Sequence, residues 1–171
     1  TQHAPIVTGS AVCRTIADGP NEDTDVLATI LIGAIATARK RVLIMTPYFL
    51  PSAEMISALQ TTVLRGIPVE IVLPGQNNLP FIQWASNNML WELLHWGVRV
   101  FFQPPPFVHS KLFVIDGTYA QIGSANLDSR SLRLNFELNV EIYDTEFAES
   151  MAAYINEKIA RSTEVSLKTI S

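Results

Sequence analysis

The chain is 171 residues long, and its 48% hydrophobic against 16% charged side chains exclude a disordered segment. Twelve Lys plus Arg against 16 Asp plus Glu leave a net charge of −4, the wrong balance for a dedicated nucleic-acid binder. One cysteine, Cys13, excludes an internal disulfide framework and a Cys-rich zinc site, and reads as a small buried residue. The best uncharged apolar run, Val26–Ala38, has 13 residues, short of the roughly 18–20 needed to cross a bilayer. Thr1 opens no basic-then-apolar leader.

In chain order, Ala11–Ala17 reads as a strand, followed by an acidic, turn-rich loop, Asp18–Asp25. Asp23 or Thr24 can cap a helix running to about Ala38, with Arg39, Lys40 and Arg41 suited to its C-terminal end. The acidic cluster Glu22, Asp23 and Asp25 reads as that helix start rather than as a metal site. Val42–Met45 is a continuous apolar run, the mark of a strand buried on both faces, and Pro47 ends it. Ser52 opens a second helix to about Leu64, closed by Arg65–Gly66. Val69–Leu73 is another buried strand, ended by Pro74–Gly75. A third helix is predicted from about Leu79 to His95; on it Trp84, Trp91 and Trp96 favour core packing over a membrane or partner surface, and His95 reads as structural. Val98–Phe102 is a strand, and Pro104–Pro106 forces an extended linker.

The last third changes character. Lys111–Ile115 and Tyr119–Ile122 are short strands around the turn signal Asp116–Gly117. Leu138–Tyr143 alternates like a strand. Thr145–Arg161 is an amphipathic helix with Phe147, Met151, Tyr154, Ile155 and Ile159 on one stripe, and Ser162–Ser171 reads as a fraying end. Strands alternating with helices, then a cluster of strands, then a helix predict an α/β sandwich with a mixed, partly parallel sheet. The whole of 1–171 reads as one domain with its core at about 10–160.

Chemistry concentrates between Val108 and Tyr143. His109, Lys111 and Asp116 form H-x-K-x4-D, and on an extended chain His109 and Lys111 face the same way. Gly123-Ser124-Ala125-Asn126 follows, then Asp128, Arg130, Asn135 and Glu137. Cleaving a phosphodiester without a metal needs a nucleophile able to form a phospho-intermediate, which histidine can be. It needs donors for the non-bridging oxygens, which Lys111, Ser124 and Asn126 can supply. It needs an acid for the leaving alkoxide, which a second histidine could provide. A carboxylate should hold the imidazole in one tautomer, and Glu137 is the candidate, with Asp116 the alternative. Tyr48 and Phe49, just after a buried strand, stand where open α/β sheets place ligand loops, with core packing the alternative. Gly123 reads as a backbone-geometry glycine. Arg130 and Arg133 are divided between lipid phosphate and pairing with Asp128 and Glu137.

HSKLFVID, GSANLDSRS and NFELNVEIYD together resemble the phospholipase D superfamily and its HKD motif, and more narrowly the second half of bacterial cardiolipin synthases. TPYFLPS at 46–52, PGQNN at 74–78 and the WASNN region at 84–88 extend the resemblance to about residues 10–160. It implies an α/β/α sandwich and an active site assembled from two HKD motifs, with no metal and no other cofactor. One histidine becomes the phosphohistidine and the other serves as acid, then base. By motif position His109 is one of that pair, Lys111 binds phosphate, and Ser124 and Asn126 lie in the phosphate-contacting stretch. Glu137 matches the acid supporting the histidine, and Asp116 conforms to the motif in a position that is more structural than chemical.

The chain departs from the family's pattern in one respect: it has a single HKD motif, since neither His3 nor His95 is followed two residues on by lysine. The resemblance therefore implies half an active site. The expected reaction moves a phosphatidyl group between phosphatidylglycerol molecules and releases glycerol. Its partners are that phospholipid, a membrane surface and a second HKD half, from a missing N-terminal part or a homodimer mate; nucleic acid is not expected. The complete protein would work at the bacterial inner membrane, with any anchor in the missing part. The alternatives are a stand-alone homodimeric phosphodiesterase, phospholipase D or endonuclease, and an inactive binding module of the same fold.

Overall fold

In the computed structural model, residues 9–19, 26–75, 89–128 and 136–168 are described. The fold is built outward from β2 (Val42–Met45), whose four residues are all buried. Side chains alternate across a strand, so Val42 and Ile44 enter one hydrophobic cluster while Leu43 and Met45 enter another on the opposite face. A strand that must be apolar on both faces lies in the middle of three layers.

Seven further strands extend the sheet: β1 (Val12–Asp18), β4 (Val69–Pro74), β5 (Arg99–Gln103), β6 (Leu112–Ile115), β7 (Tyr119–Gly123), β9 (Glu137–Tyr143) and β10 (Thr163–Glu164), in the order β1-β9-β7-β6-β2-β4-β5-β10. Pairs β2–β4 and β4–β5 are parallel and the rest antiparallel. A separate two-residue ladder joins β3 (Phe49–Leu50) in parallel to β8 (Leu127–Asp128). One face is covered by α1 (Val26–Thr37), α2 (Ala53–Leu64) and the helical segment 89–95 (α3), through Leu27, Leu31, Ile35, Met55, Leu59 and Leu93. The other carries α4 (Thr145–Ala160), through Ala148 and Ile155 with Phe147, Met151, Tyr154 and Ile159 packed alongside. The result is the α/β/α sandwich with a mixed sheet that the sequence predicts. Ser52 accepts from Met55 N at 3.4 Å and Asp144 from Phe147 N at 2.7 Å, so α2 and α4 begin on capping side chains.

Three expectations are corrected. Ser162–Ser171 does not simply trail away: Thr163 and Glu164 pair with Phe102 and Phe101, and Val165 N donates to Val100 O at 2.8 Å, so β10 closes the β5 edge. Cys13 is exposed, because β1 is the opposite edge strand and most of its side chains face outward. Trp91 and Trp96 are 50% and 45% exposed rather than core, with the His95 ring stacked on Trp91 at 5.1 Å. The start of the third helix with Trp84, the cap at Asp23 or Thr24, the acidic cluster, Arg130, Arg133 and Asn135 lie outside the described residues. Among the described residues, no helix is long and apolar enough to cross a membrane.

One strand inverts its own pattern. In β9 the hydrophobic Leu138 is 54% exposed, while Glu137, Asn139 and Glu141 are buried. Gln121 and Tyr119 of β7 and Asp18 of β1 are buried as well. This end of the sheet therefore carries a buried polar ladder, and it runs toward the HKD residues.

Candidate active site

The parallel strands β2, β4 and β5 all end on the same side of the sheet, and β6 starts there because Leu112 pairs with Met45. His109 and Lys111 sit just before β6, so sheet topology carries them to the C-terminal ends of the parallel strands, where open α/β sheets place ligands. The GSAN turn reaches the same edge by another route. It follows β7, which pairs with β6, and the β3–β8 ladder sets Phe49 against Leu127. That ladder ties the segment after β2 to the segment after Asn126. Met45, Thr46, Lys111, Asn126 and Asn139 line one small cleft.

His109 is exposed, packed edge-on against Tyr48 at 6.1 Å between ring centroids and tilted against Phe107 at 6.0 Å. Tyr48 therefore does line the site, whereas Phe49 belongs to the core. Lys111 Nζ lies 3.0 Å from His109 Nδ1 and donates to His109 O at 3.2 Å. An ammonium has no lone pair to offer, so this contact requires Nδ1 to be the unprotonated, accepting nitrogen. Partial burial and then the Lys111 charge both push the imidazole pKa below its ordinary value. Burial also lowers Lys111, while the Glu137 carboxylate works the other way. The two groups thus give up a proton more readily than free side chains, and an incoming anion would counter that shift at Lys111.

Glu137 is buried and accepts a short hydrogen bond from Ser124 Oγ. Ser124 Oγ in turn accepts from Leu138 N at 3.0 Å, and Ser124 N donates to Leu138 O at 3.1 Å. Asn126 is half-buried, and its Oδ1 has no hydrogen-bond partner among the described residues, so an acceptor is left open at the site. His109, Lys111, Ser124, Asn126 and Glu137 are therefore brought to one end of the sheet. Asp116 is not: it follows β6 at the opposite end, about 16 Å along the strand at roughly 3.3 Å per residue. There its carboxylate accepts from the backbone N–H of Arg39 at 2.9 Å, Lys40 at 2.7 Å and Arg41 at 3.0 Å. Burial pushes its pKa up, but the three backbone donors outweigh it and hold the carboxyl below the ordinary range. Its φ of +58° opens the β6–β7 turn.

Three residues at this end were not anticipated. Phe107 supplies the second aromatic wall of His109. Asp18 stands directly across from Glu137 in the β1–β9 register, is buried, and accepts from Gly19 N at 2.9 Å on one oxygen; the other has no partner among the described residues. Asn139 lines the cleft from β9. Their signal was absent from motif reading because all three contribute through register and proximity rather than through spacing. Among the described residues there is no group of three His, Cys, Asp or Glu able to hold a metal ion.

Comparison with known proteins bears on the family and the fold. The family description "Cardiolipin synthase, PLD-like domain" fits residues 31–159. Cardiolipin synthase A of Proteus mirabilis is 40% identical over 154 residues, covering 90% of this chain and 32% of that protein. The major cardiolipin synthase of Bacillus subtilis is 34% identical over 151 residues, covering 88% of this chain and 31% of that protein. The chain thus spans about a third of the length of the curated relatives it matches. Among solved structures, a phospholipase D family member, Nuc from Salmonella typhimurium, superposes with a TM-score of 0.77 at 18% identity, covering 92% of this chain and 99% of that one. That likeness shows the shared fold.

Proposed function

The chain belongs to the phospholipase D-like domain family of the cardiolipin synthases, and from that membership we propose that it supplies one HKD half-site of a phosphatidyltransferase. The substrate is phosphatidylglycerol, and the products are cardiolipin and glycerol. The observation that carries this reading is the convergence of His109, Lys111, Ser124 and Asn126, from two separate chain segments, at one end of the sheet.

In the proposed reaction one imidazole nitrogen attacks phosphorus, a phosphorus–nitrogen bond forms, and the bond to the glycerol oxygen breaks. The second motif's histidine gives its proton to the departing alkoxide. It then takes a proton from the hydroxyl of a second phosphatidylglycerol, whose oxygen displaces the histidine. Lys111 and the Asn126 amide face the non-bridging oxygens, where charge builds up. Glu137, bonded to Ser124 and acting electrostatically on Lys111, is the carboxylate we assign to supporting His109, in preference to Asp116; it does so through Lys111, the side chain that meets the imidazole at hydrogen-bond distance. Asp116 then serves the motif as the anchor of the β6–β7 turn. The second half comes from elsewhere in the longer protein, which we place at the bacterial inner membrane with its lipid substrate.

The test is His109→Ala in the full-length protein. Turnover of phosphatidylglycerol should fall by at least about a thousandfold, with the far-ultraviolet circular dichroism and melting temperature of the parent retained. Activity within roughly tenfold of the parent, one RT ln 10 step in barrier height, would remove His109 from the chemistry.

A further inference from the structure

The buried polar ladder on β7 and β9 has a definite order. Arg14 Nε donates to Glu141 Oε2; Tyr119 OH donates to Glu141 Oε1 at 2.8 Å; Gln121 Nε2 donates to Tyr119 OH at 3.2 Å. Asn139 Nδ2 donates to Gln121 Oε1 at 2.9 Å, and Asn139 Oδ1 accepts from Ala125 N at 3.2 Å. The ladder thus ends on the backbone of the residue between Ser124 and Asn126. A Cβ at Gly123 would lie 2.0 Å from Asn139 Oδ1, well inside any tolerable contact. It would also lie 2.5 Å from the Leu138 carbonyl oxygen, and Gly123 does not have a positive φ, so the glycine that opens GSAN is required for the space that Asn139 and the neighbouring strand occupy, not for a left-handed turn.

We propose that Asn139 is a positioning residue for phosphate recognition: its amide clamps the backbone of Ala125 and thereby fixes Asn126 and Ser124 against Lys111. This deepens the half-site reading above and rests on it. The physical case is that Asn126 is held from both flanks. On one side Ala125 N is bound to Asn139; on the other Leu127 pairs with Phe49. An amide serves here where most buried side chains would not. It must accept from a backbone N–H at one atom and donate to Gln121 at the other, and a hydrophobic residue would leave both Ala125 N–H and Gln121 Oε1 without partners in a buried place. Tyr119, Gln121 and Glu141 behind it fix which way the Asn139 amide points. Misplacing a transition-state donor by about 1 Å costs on the order of a hundredfold in rate, so the clamp acts on kcat more than on KM.

Two readouts test it. Hydrogen exchange at individual amides of the 171-residue chain reports the clamp without reference to substrate. Asn139→Ala should speed exchange at Ala125 by at least about tenfold while β2 and β4 amides keep their protection, as expected of a local opening. Asn139→Asp retains an oxygen for the Ala125 N–H but sets its other oxygen against Gln121 Oε1, so exchange there should be intermediate, slower than in Asn139→Ala. In the full-length enzyme, Asn139→Ala and Gly123→Ala should each lower kcat on phosphatidylglycerol by roughly a hundredfold. The double variant should be no worse than Gly123→Ala alone, because the added methyl already displaces the Asn139 amide, whatever else it does at the Leu138 carbonyl. Unchanged Ala125 exchange in Asn139→Ala, exchange in Asn139→Asp as fast as in Asn139→Ala, or losses that multiply in the double variant would each overturn the clamp. If the parent enzyme does not turn over phosphatidylglycerol, the functional reading falls, and the exchange measurements alone decide the clamp.

Discussion

The two ends of the sheet hold the same kinds of side chain and use them oppositely. At the end where the parallel strands begin, the buried Glu70 is bonded by Arg41 Nε at 2.7 Å and Arg99 Nη1 at 2.8 Å. Arg99 also meets Glu164, and Asp116 is capped by three backbone amides. Charge there is matched by opposite charge or by fixed N–H groups, and the elements it joins, β2, β4, β5, β10 and the turn after β6, are held in register. At the end where those strands finish, Lys111 faces a histidine rather than an acid at contact distance, and Asn126 keeps a buried oxygen without a partner among the described residues. The first end is saturated with partners, whereas the proposed phosphate site keeps a cation for an anion; the open Asn126 oxygen is an acceptor, and a phosphate would be met by the donating end of that amide. Asp116 and Lys111 belong to one eight-residue motif, yet β6 places them on opposite sides of this division.

That division can be broken first at Asp116. Asp116→Asn keeps a residue tolerant of positive φ but removes the charge that gathers three N–H groups. Hydrogen bonds to charged groups contribute about 1.5–3 kcal/mol each, and Asn retains part of them, so a loss of about 2 kcal/mol on urea denaturation is expected. Inorganic phosphate binding should be unaltered. The sign with pH is fixed by the depressed folded pKa of Asp116. Its contribution is complete above the unfolded carboxyl pKa and is lost as pH falls through the folded one, so the variant should lose part of the parent's acid sensitivity. Weaker phosphate binding in Asp116→Asn, with stability intact, would place this residue with the site instead.

Lys111→Met is the mirror experiment and carries a smaller effect on stability, within about 1 kcal/mol. It should abolish phosphate binding. It should also move the His109 titration, followed by proton NMR of the ring, upward toward the ordinary histidine value, because one of the two causes that lower it is removed. The shift is partial, since burial is the larger cause and remains. In the parent, protonation of His109 is disfavoured by folding. Stability tied to it is therefore complete above the ordinary histidine pKa and declines as pH falls through the lower folded pKa. A titration unmoved by Lys111→Met would show that the ammonium does not act on the imidazole.

Much of this was legible in the chain. The apolar runs at Val42–Met45 and Val69–Leu73 specify strands that need cover on both faces, and the HKD, GSAN and NFE segments supply the candidate site residues that the fold gathers at one end of the sheet, because each depends on local spacing. What was not legible depends on neighbours. Thr163 and Glu164 form a strand only because the β5 edge is open to them. The Trp91 and Trp96 rings read as core by composition but are exposed, one on the outer side of α3 and the other in the turn that follows it. Asn139 and Glu141 look like the solvent side of an alternating strand; only the presence of Gln121 and Tyr119 across the ladder makes the polar side the buried one. Gly123 likewise reads as a backbone-geometry glycine until the Asn139 and Leu138 oxygens are seen in the place of its missing side chain.

The central claim is that these 171 residues provide one of two histidines that must stand on opposite sides of a single phosphorus. The most direct measurement sets phosphatidylglycerol turnover against oligomeric mass by light scattering, for the isolated chain and for the full-length protein. The account predicts that the full-length protein turns over and that the isolated chain, as a monomer, does not. Robust turnover by a strictly monomeric chain would contradict the two-histidine account. Turnover by the isolated chain as a dimer would contradict the missing-half assignment in favour of a stand-alone enzyme.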